Sequence, residues 1–377
     1  MLQAGCYTRG TLCGTIHRCS DVPSNRLSPH SKFNGDRMRD YFFRRLLLIP
    51  PTLIGVTIIV FAITRLVPGG PLERAIMQTQ QMSMSGTGAS QMAGQGMAIS
   101  EAQLDRLREY YGFDKPMLQS YFSWLGKVVR GDLGSSYTYN EPVWDVIQQR
   151  FPVSLYYGLV TLVLTYAVCI PLGILKAIRH RTFVDNISSI LIFVGYAIPG
   201  YALGSLLILF FAVRLDWFPM GGFVSYNFDE LAPGEQALDL LRHSVLPLIC
   251  YMVGSFAMVT LLLKNHLMDN LAADYIRTAV SKGVSFRHSV TRHAVRNSLI
   301  PIATTFGQNV TLLVSGSFLI ESIFDIDGFG LLGLSSILDR DYPVVMGIVL
   351  LASLLLLVGN ILSDILVALV DPRIRFE

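Results

Sequence analysis

Six stretches of this chain are apolar for about twenty residues or more, the length that a helix needs to cross a hydrocarbon core. They run from Leu46 to about Val67, Val153–Leu175, Ile187–Val213, His243–Leu263, Ser298–Ile320, and from about Pro343 to Val370. Six such segments in one chain exclude most soluble folds. Composition agrees, because only 15% of the 377 residues are charged, against roughly a quarter in soluble domains. Intrinsic disorder is excluded as well, since disordered chains are poor in apolar residues. The fold class expected is an all-α polytopic membrane protein with six transmembrane helices. Prolines interrupt several spans, at Pro50, Pro51, Pro171, Pro199, Pro247 and Pro301. Membrane helices tolerate them where neighbouring helices satisfy the freed carbonyls, so the spans are expected to pack as one bundle. The first span reads as a retained anchor, because Pro68-Gly69-Gly70-Pro71 offers no small-x-small cleavage site.

Charge sorts across these spans. Lys176, Arg179 and Arg181 follow span two, and Arg373 and Arg375 follow span six. The 264–297 loop holds Lys264, Arg277, Lys282, Arg287, Arg292 and Arg296 against Asp269 and Asp274. The 214–242 and 321–342 segments are acidic instead. Short cytoplasmic loops carry the excess of Lys and Arg. Both termini and the 264–297 loop are therefore expected in the cytoplasm, with the 68–152 segment outside.

Within that external segment, residues 78–100 are rich in Gly, Ser, Gln and Met and carry no charge, a composition unable to bury a core. Met77, just before it, and Met82, Met84, Met92 and Met97 within it could ligate Cu(I), but no Cys or His joins them, and a flexible low-complexity insert is the expectation. Ser100 and Gln103 fit a capping box for a helix to about Tyr111. Trp124, Tyr137, Tyr139 and Trp144 fit either a receptor surface or interfacial anchors.

The chain has no G-x-x-x-x-G-K-[ST] phosphate loop, so ATP binding by that route is excluded, and neither H-E-x-x-H nor G-x-S-x-G occurs. No catalytic residues are assigned. Cys6, Cys13 and Cys19 with His17 and His30 fit no standard zinc spacing, and no metal site is expected. Cys169 and Cys250 read as small apolar core residues.

The 264–297 loop is long for a bundle connection, which is commonly about 2–8 residues. Ala272 to Ser281 reads as a helix ended by Gly283, and a second helix from Phe286 to about Asn297 leads into span five. Such a basic helix-turn-helix suits anionic lipid headgroups or a partner's groove.

Here the residues carry a resemblance. Asp274-Tyr275-Ile276-Arg277-Thr278-Ala279, followed by Gly283, resembles the E-A-A-x-x-x-G coupling segment of permease subunits in binding-protein-dependent ABC importers, with arginine in place of the glutamate. Arg65-Leu66-Val67-Pro68-Gly69-Gly70-Pro71, Tyr111-Gly112-Phe113-Asp114-Lys115-Pro116 and Gly131-Asp132-Leu133-Gly134-Ser135-Ser136 resemble the dipeptide/oligopeptide branch. So do Glu321, Phe324, Gly328 and Gly330, Arg340-Asp341-Tyr342-Pro343, and Asp371-Pro372-Arg373-Ile374-Arg375. The insert after span one and the Arg-Phe-Glu ending look most like the Yej subgroup, whose systems import oligopeptides and the antibiotic microcin C. The resemblance covers 38–377 and implies the type I ABC importer permease fold.

It also implies partners. These are a second permease subunit forming a heterodimer, two ATPase domains or subunits that bind ATP and Mg, a periplasmic peptide-binding protein and the lipid bilayer. No cofactor in this chain and no nucleic acid are implied. A permease without its own ATPase must receive work mechanically, and Asp274 to Ala279 with Gly283 are the residues expected to do so. Tyr275 and Ile276 are expected as the apolar knob and Gly283 as the turn that aims it. Candidates for the substrate path are Thr304, Gln308, Asn309 and Thr311, polar residues within span five, of which Thr304, Gln308 and Thr311 share a face. Interhelical packing explains them equally well.

Asp364 is the lone acid within a span. It is the one feature favouring a proton-coupled secondary transporter, the alternative reading, although a structural role is the expectation. A membrane receptor or scaffold is a third reading and leaves the coupling-like loop unexplained. Met38-Arg39-Asp40-Tyr41 looks like a native start for the family, so 1–37 is expected to be upstream sequence or a disordered tail. That tail carries five basic and two acidic residues, the whole net charge of +3. The basic balance of the chain therefore says nothing about an acidic partner. The expected organisation is the 1–37 tail, the first span in 38–67, the external segment 68–152, and a permease core over 153–377.

Overall fold

The computed structural model describes residues 35–66, 115–315 and 317–370. The 78–100 insert, the helix expected from Ser100, the tail cysteines and the Asp371–Arg375 motif lie outside the described residues. Among those described there is no strand, only an isolated bridge between Ser135 and Pro142.

The first helix, α1 (Gly35–Leu66), contains span one. Next come α2 (Met117–Val128) and a turn through Gly131 and Gly134, both at positive φ. The next helix, α3 (Val143–Ile178), holds span two and runs through Pro152 and Pro171 unbroken.

Span three behaves differently. It is expected as one helix and is found as two, α4 (Phe183–Ala197) and α5 (Gly200–Leu207), the latter continued by a π-helical stretch Ile208–Arg214. The halves are bent by 97°. Proline disfavours the α conformation in the residue before it, and Ile198 is extended at φ −92, ψ 121. The same residue type leaves α3 unbroken, so the sequence marks the breakpoint without deciding that it breaks.

Span four lies in the 40-residue α6 (Pro233–Ala272), about 60 Å long at ~1.5 Å per residue. Its start is fixed by Pro233 and by the Glu235 carboxylate, which accepts from the Ala232 N–H at 3.3 Å. After α6 come α7 (Asp274–Ser281), α8 (Phe286–Ser289), a π turn Val290–Ala294, α9 (Val295–Ser298) and α10 (Ile300–Ser315). Leu299 keeps helical dihedrals, so α9 runs into α10 with Pro301 harmless in its first turn. Span five is expected to reach Ile320. Instead α10 stops at Ser315, and Ser317 is extended before the short α11 (Phe318–Ile323). The chain closes with α12 (Phe329–Leu338) and α13 (Tyr342–Val370).

Among the described residues, α1, α3, α6 and α13 are each long and apolar enough to span alone, and the bent pair makes a fifth. At 16 residues, α10 by itself is about 24 Å long, short of a core of roughly 30 Å.

The helices pack as a bundle around α3 paired with α6 and α10 paired with α13. Cys169, Val259, Leu263 and Ile302 form the seam among α3, α6 and α10. Gly173 permits that approach, since a Cβ there would lie 3.1 Å from Leu263. Cys169 and Cys250 are buried and free, as expected of core residues. Leu46, Leu47, Ile58 and Ile59 on α1 and Leu191 and Phe193 on α4 stay exposed, a surface suited to lipid or a partner helix. Trp124 is half-buried and packs on Phe61 of α1, while Trp144 remains exposed.

Candidate coupling face and translocation site

The 264–297 loop folds as its residues direct. After Ala272, Ala273 is extended (φ −71, ψ 147) and turns α7 across the end of α6. Gly283 follows at φ +88, a conformation that costs other residues roughly 1–2 kcal/mol. Ser285 then caps α8, accepting from the His288 N–H at 3.4 Å.

A side-chain network ties α7 down. Tyr275 donates to Asn270 Oδ1 at 2.7 Å and accepts from Asn297 Nδ2 at 3.3 Å. Asn270 Nδ2 in turn donates to Ser298 Oγ at 3.0 Å. Ile276 is 3% exposed and packs with Ala177, Leu267 and Ala294. The knob expected from Tyr275 and Ile276 is corrected accordingly. Ile276 faces the bundle because it lies on the inner side of α7, and the exposed apolar surface comes from Tyr275, Val280 and Phe286. Sequence spacing alone did not single out the last two. Arg277 stands in solvent, 3.9 Å from Asp274, a pair worth little to stability. Thr278 donates to the Asp274 carbonyl within the helix. Ala279 is half-buried between them. The arrangement presents a short helix whose inner face is bolted to α6 and α9 and whose outer face is free to press on another surface.

The spans behind this face are locked together. Lys264 Nζ reaches both Asp185 oxygens, at 2.7 and 2.9 Å. Lys176 Nζ lies 3.0 Å from Asp185 Oδ1 and donates to Ser188 and Ser189 at 2.8 and 2.7 Å. The sequence presents Lys176 as a loop cation, yet it is fully buried. It is affordable there only because every ammonium proton finds an acceptor.

A second anchor forms around Glu321. Glu321 on α11 is buried, accepting from Ser154 at 3.3 Å, Tyr251 at 3.2 Å and the Leu331 N–H at 2.7 Å. A carboxylate at the start of α12 also suits the helix dipole. Gly328 makes room for it, because a Cβ there would meet Glu321 Oε2 at 2.6 Å. Asp341 is buried as well and accepts from the Ser136 hydroxyl and from the N–H groups of Tyr137 and Thr138 at 3.2 and 3.0 Å. These contacts give a structural reason for the Gly131–Ser136, Glu321–Gly330 and Arg340–Pro343 motifs.

The candidate path residues separate. Asn309 donates to Tyr166 at 2.7 Å and lines a cavity of about 360 Å³ among α3, α5, α6, α10 and α11. Thr304 is exposed, its hydroxyl donating to the Pro301 carbonyl at 2.7 Å, and does not line the cavity. The side chains of Gln308 and Thr311 lie outside the described residues. Thr161, Thr165 and Tyr166 on α3 and Tyr251 on α6 join the cavity wall. Helical spacing within span five could not reveal them, since they come from other spans. Asp364 pairs with Arg45 at 2.5 Å and accepts from Tyr41 at 3.2 Å, tying α13 to α1 as a structural acid.

Comparison with known proteins follows this geometry. Residues 169–376 match the family model described as "Binding-protein-dependent transport system inner membrane component". The chain is 37% identical over 360 residues to the peptidoglycan transport system permease protein YejB of Agrobacterium fabrum, covering 90% of this chain and 99% of that protein. It is 37% identical over 362 residues to the inner membrane ABC transporter permease protein YejB of Escherichia coli O157:H7, covering 90% and 100%. It is 34% identical over 340 residues to the oligopeptide transport system permease protein AppB of Bacillus subtilis, again covering 90% and 100%. The bundle, the tethered helix α7 and these matches over nearly the whole chain place the protein among the inner-membrane permease subunits of binding-protein-dependent ABC transporters.

Proposed function

We propose that this chain forms half of the translocation path of an ATP-driven importer of oligopeptides or peptide-like compounds, with microcin C-type conjugates among the candidate cargo. The observation that carries the reading is the seating of α7. Its inner face is fixed through Ile276 and the Asn270–Tyr275–Asn297 network, while Tyr275, Val280 and Phe286 keep apolar surface exposed. A load on that surface moves α6 and α9 as rigid bodies, which is what a subunit driven by a separate ATPase needs. The names of the relatives, which include peptidoglycan, oligopeptide and dipeptide permeases, support peptides or peptide-bearing glycans as cargo. The complex would hold a second, non-identical permease subunit, two ATPase subunits and a periplasmic binding protein, with both termini of this chain in the cytoplasm.

The test is transport. The complex is purified through a tag on this chain, reconstituted in vesicles with its binding protein, and offered labelled oligopeptides. Uptake should require ATP. Uptake driven by a proton gradient alone, or purification from native membranes with no ATPase attached, would overturn the reading.

A further inference from the structure

Helix α2 divides its surface three ways. Tyr121 and Trp124, one turn apart, pack on Phe61 of α1, and Met346 of α13 completes the cluster. Leu118, Phe122 and Val129, at spacings of four and seven, share a second face and are 74%, 65% and 81% exposed. Gln119, Ser123 and Lys127, again four apart, form a third face that is polar and exposed. A helix with one side on protein, one apolar and one polar suits the line where protein, lipid and water meet.

Depth decides what covers the apolar face. The span in α1 is apolar from Phe43 to Leu66. Ser120 of α2 accepts from Arg65 Nη2 at 2.6 Å, one residue before that end, so α2 lies level with the end of the span. The Tyr121 hydroxyl reaches deeper and sits 3.1 Å from Thr57 Oγ1. At ~1.5 Å per residue Thr57 is about 14 Å inward from Leu66, well within a hydrocarbon core roughly 30 Å thick. Met346 agrees from the other side, since it lies in the first turns of α13, which begins at Tyr342. Ile59, Ile63 and Leu66, on the same stretch of α1, are exposed and apolar too. The Leu118–Phe122–Val129 stripe therefore continues the surface that α1 turns to the bilayer. Lys127 and the exposed Arg130 stand at the end of α2, where long basic side chains can reach lipid phosphates while their stems stay on apolar surface.

We propose that α2 is an interfacial helix seated in the leaflet at the Leu66 end of α1, with Leu118, Phe122 and Val129 among phospholipid acyl chains and Gln119, Ser123 and Lys127 toward water. The occupant of the apolar face is lipid. This assignment does not depend on what the complex carries.

The experiment uses the full chain, with whatever subunits accompany it, in nanodiscs of phosphatidylethanolamine and phosphatidylglycerol. Cys6→Ser, Cys13→Ser and Cys19→Ser clear the tail of thiols, and Cys169 and Cys250 are buried, so this parent sets the background. Nitroxide labels are then attached through Phe122→Cys and, one residue on, through Ser123→Cys. Both positions are exposed, and neither substitution disturbs the packed face. Molecular oxygen concentrates in lipid, whereas a chelated nickel complex stays in water. Oxygen should relax the label at 122 several-fold more strongly than nickel does, and the order should reverse at 123. Leu118→Cys and Gln119→Cys should repeat the contrast one turn earlier. Relaxation at 122 dominated by nickel would place the stripe in water. Weak relaxation there by both agents would mean that protein covers it. Either result overturns the proposal.

Discussion

Lys264 on α6 places its ammonium 2.7 Å from Asp185 Oδ1 at the start of α4, while Lys176 of α3 meets the same carboxylate from the other side. The consecutive helices α3 and α4 and the more distant α6 thus share one buried carboxylate. Removing one member of a buried pair costs about 3–5 kcal/mol, because the other charge is left unpaired. Asp185→Asn strands two ammoniums and should reduce stability by that order. Lys264→Met leaves Asp185 with Lys176 and should cost less. Thermal unfolding of the purified variants in detergent checks the order, and a harmless Asp185→Asn would refute the account.

Gly283 needs its positive φ to return the chain from α7 into α8. Gly283→Asp should therefore leave membrane insertion intact and disturb the aim of α7. ATP hydrolysis by the assembled complex should persist while peptide uptake fails. Wild-type uptake by the assembled variant would show that the turn is not needed for coupling.

Gly328→Ala would drive a methyl group against the Glu321 carboxylate and the Ser154 hydroxyl, at 2.6 and 2.7 Å. Overpacking of this kind typically costs about 1–3 kcal/mol. The folded yield of Gly328→Ala should fall, whereas Gly126→Ala, where a Cβ would meet nothing within 4 Å, should behave as wild type. Equal yields would mean that the Glu321 pocket relaxes freely.

Asp364 and Arg45 form an interhelical pair at 2.5 Å, so neutralising either one strands the other. Asp364→Asn should lower the amount of folded protein, and Asp364→Asn combined with Arg45→Gln should recover it, as coupled sites do in a double-mutant cycle. Uptake per folded molecule should then match wild type. Complete loss of transport by a well-folded double variant would favour a proton-carrying role for Asp364 instead.

Much of the architecture was legible before any coordinates. Hydrophobic runs locate α1, α3, α6 and α13, since the bilayer sets the length of apolar helix, and they mark the bent third segment and the shorter α10 without their breaks. The short helix α7 is legible from local chemistry, because Gly283 and Ser285 are punctuation whose effect is confined to neighbouring dihedrals. The path was less so. Thr304 shares a helix face with Gln308 and Thr311, yet its hydroxyl turns back to its own backbone. The cavity wall draws instead on Thr161, Thr165 and Tyr251 from other spans.

By itself, then, the sequence determined which segments leave water, where helices start and stop at glycine and serine, and which loop carries the basic residues. Only the tertiary structure decided the break at Pro199 where the helix through Pro171 stays unbroken, the burial of Lys176 against Asp185, and the turning of Ile276 inward. The division has one cause. Apolarity and backbone preference act over a few neighbouring residues, whereas burial of a charge or the opening of a cavity depends on partners supplied from elsewhere in the chain.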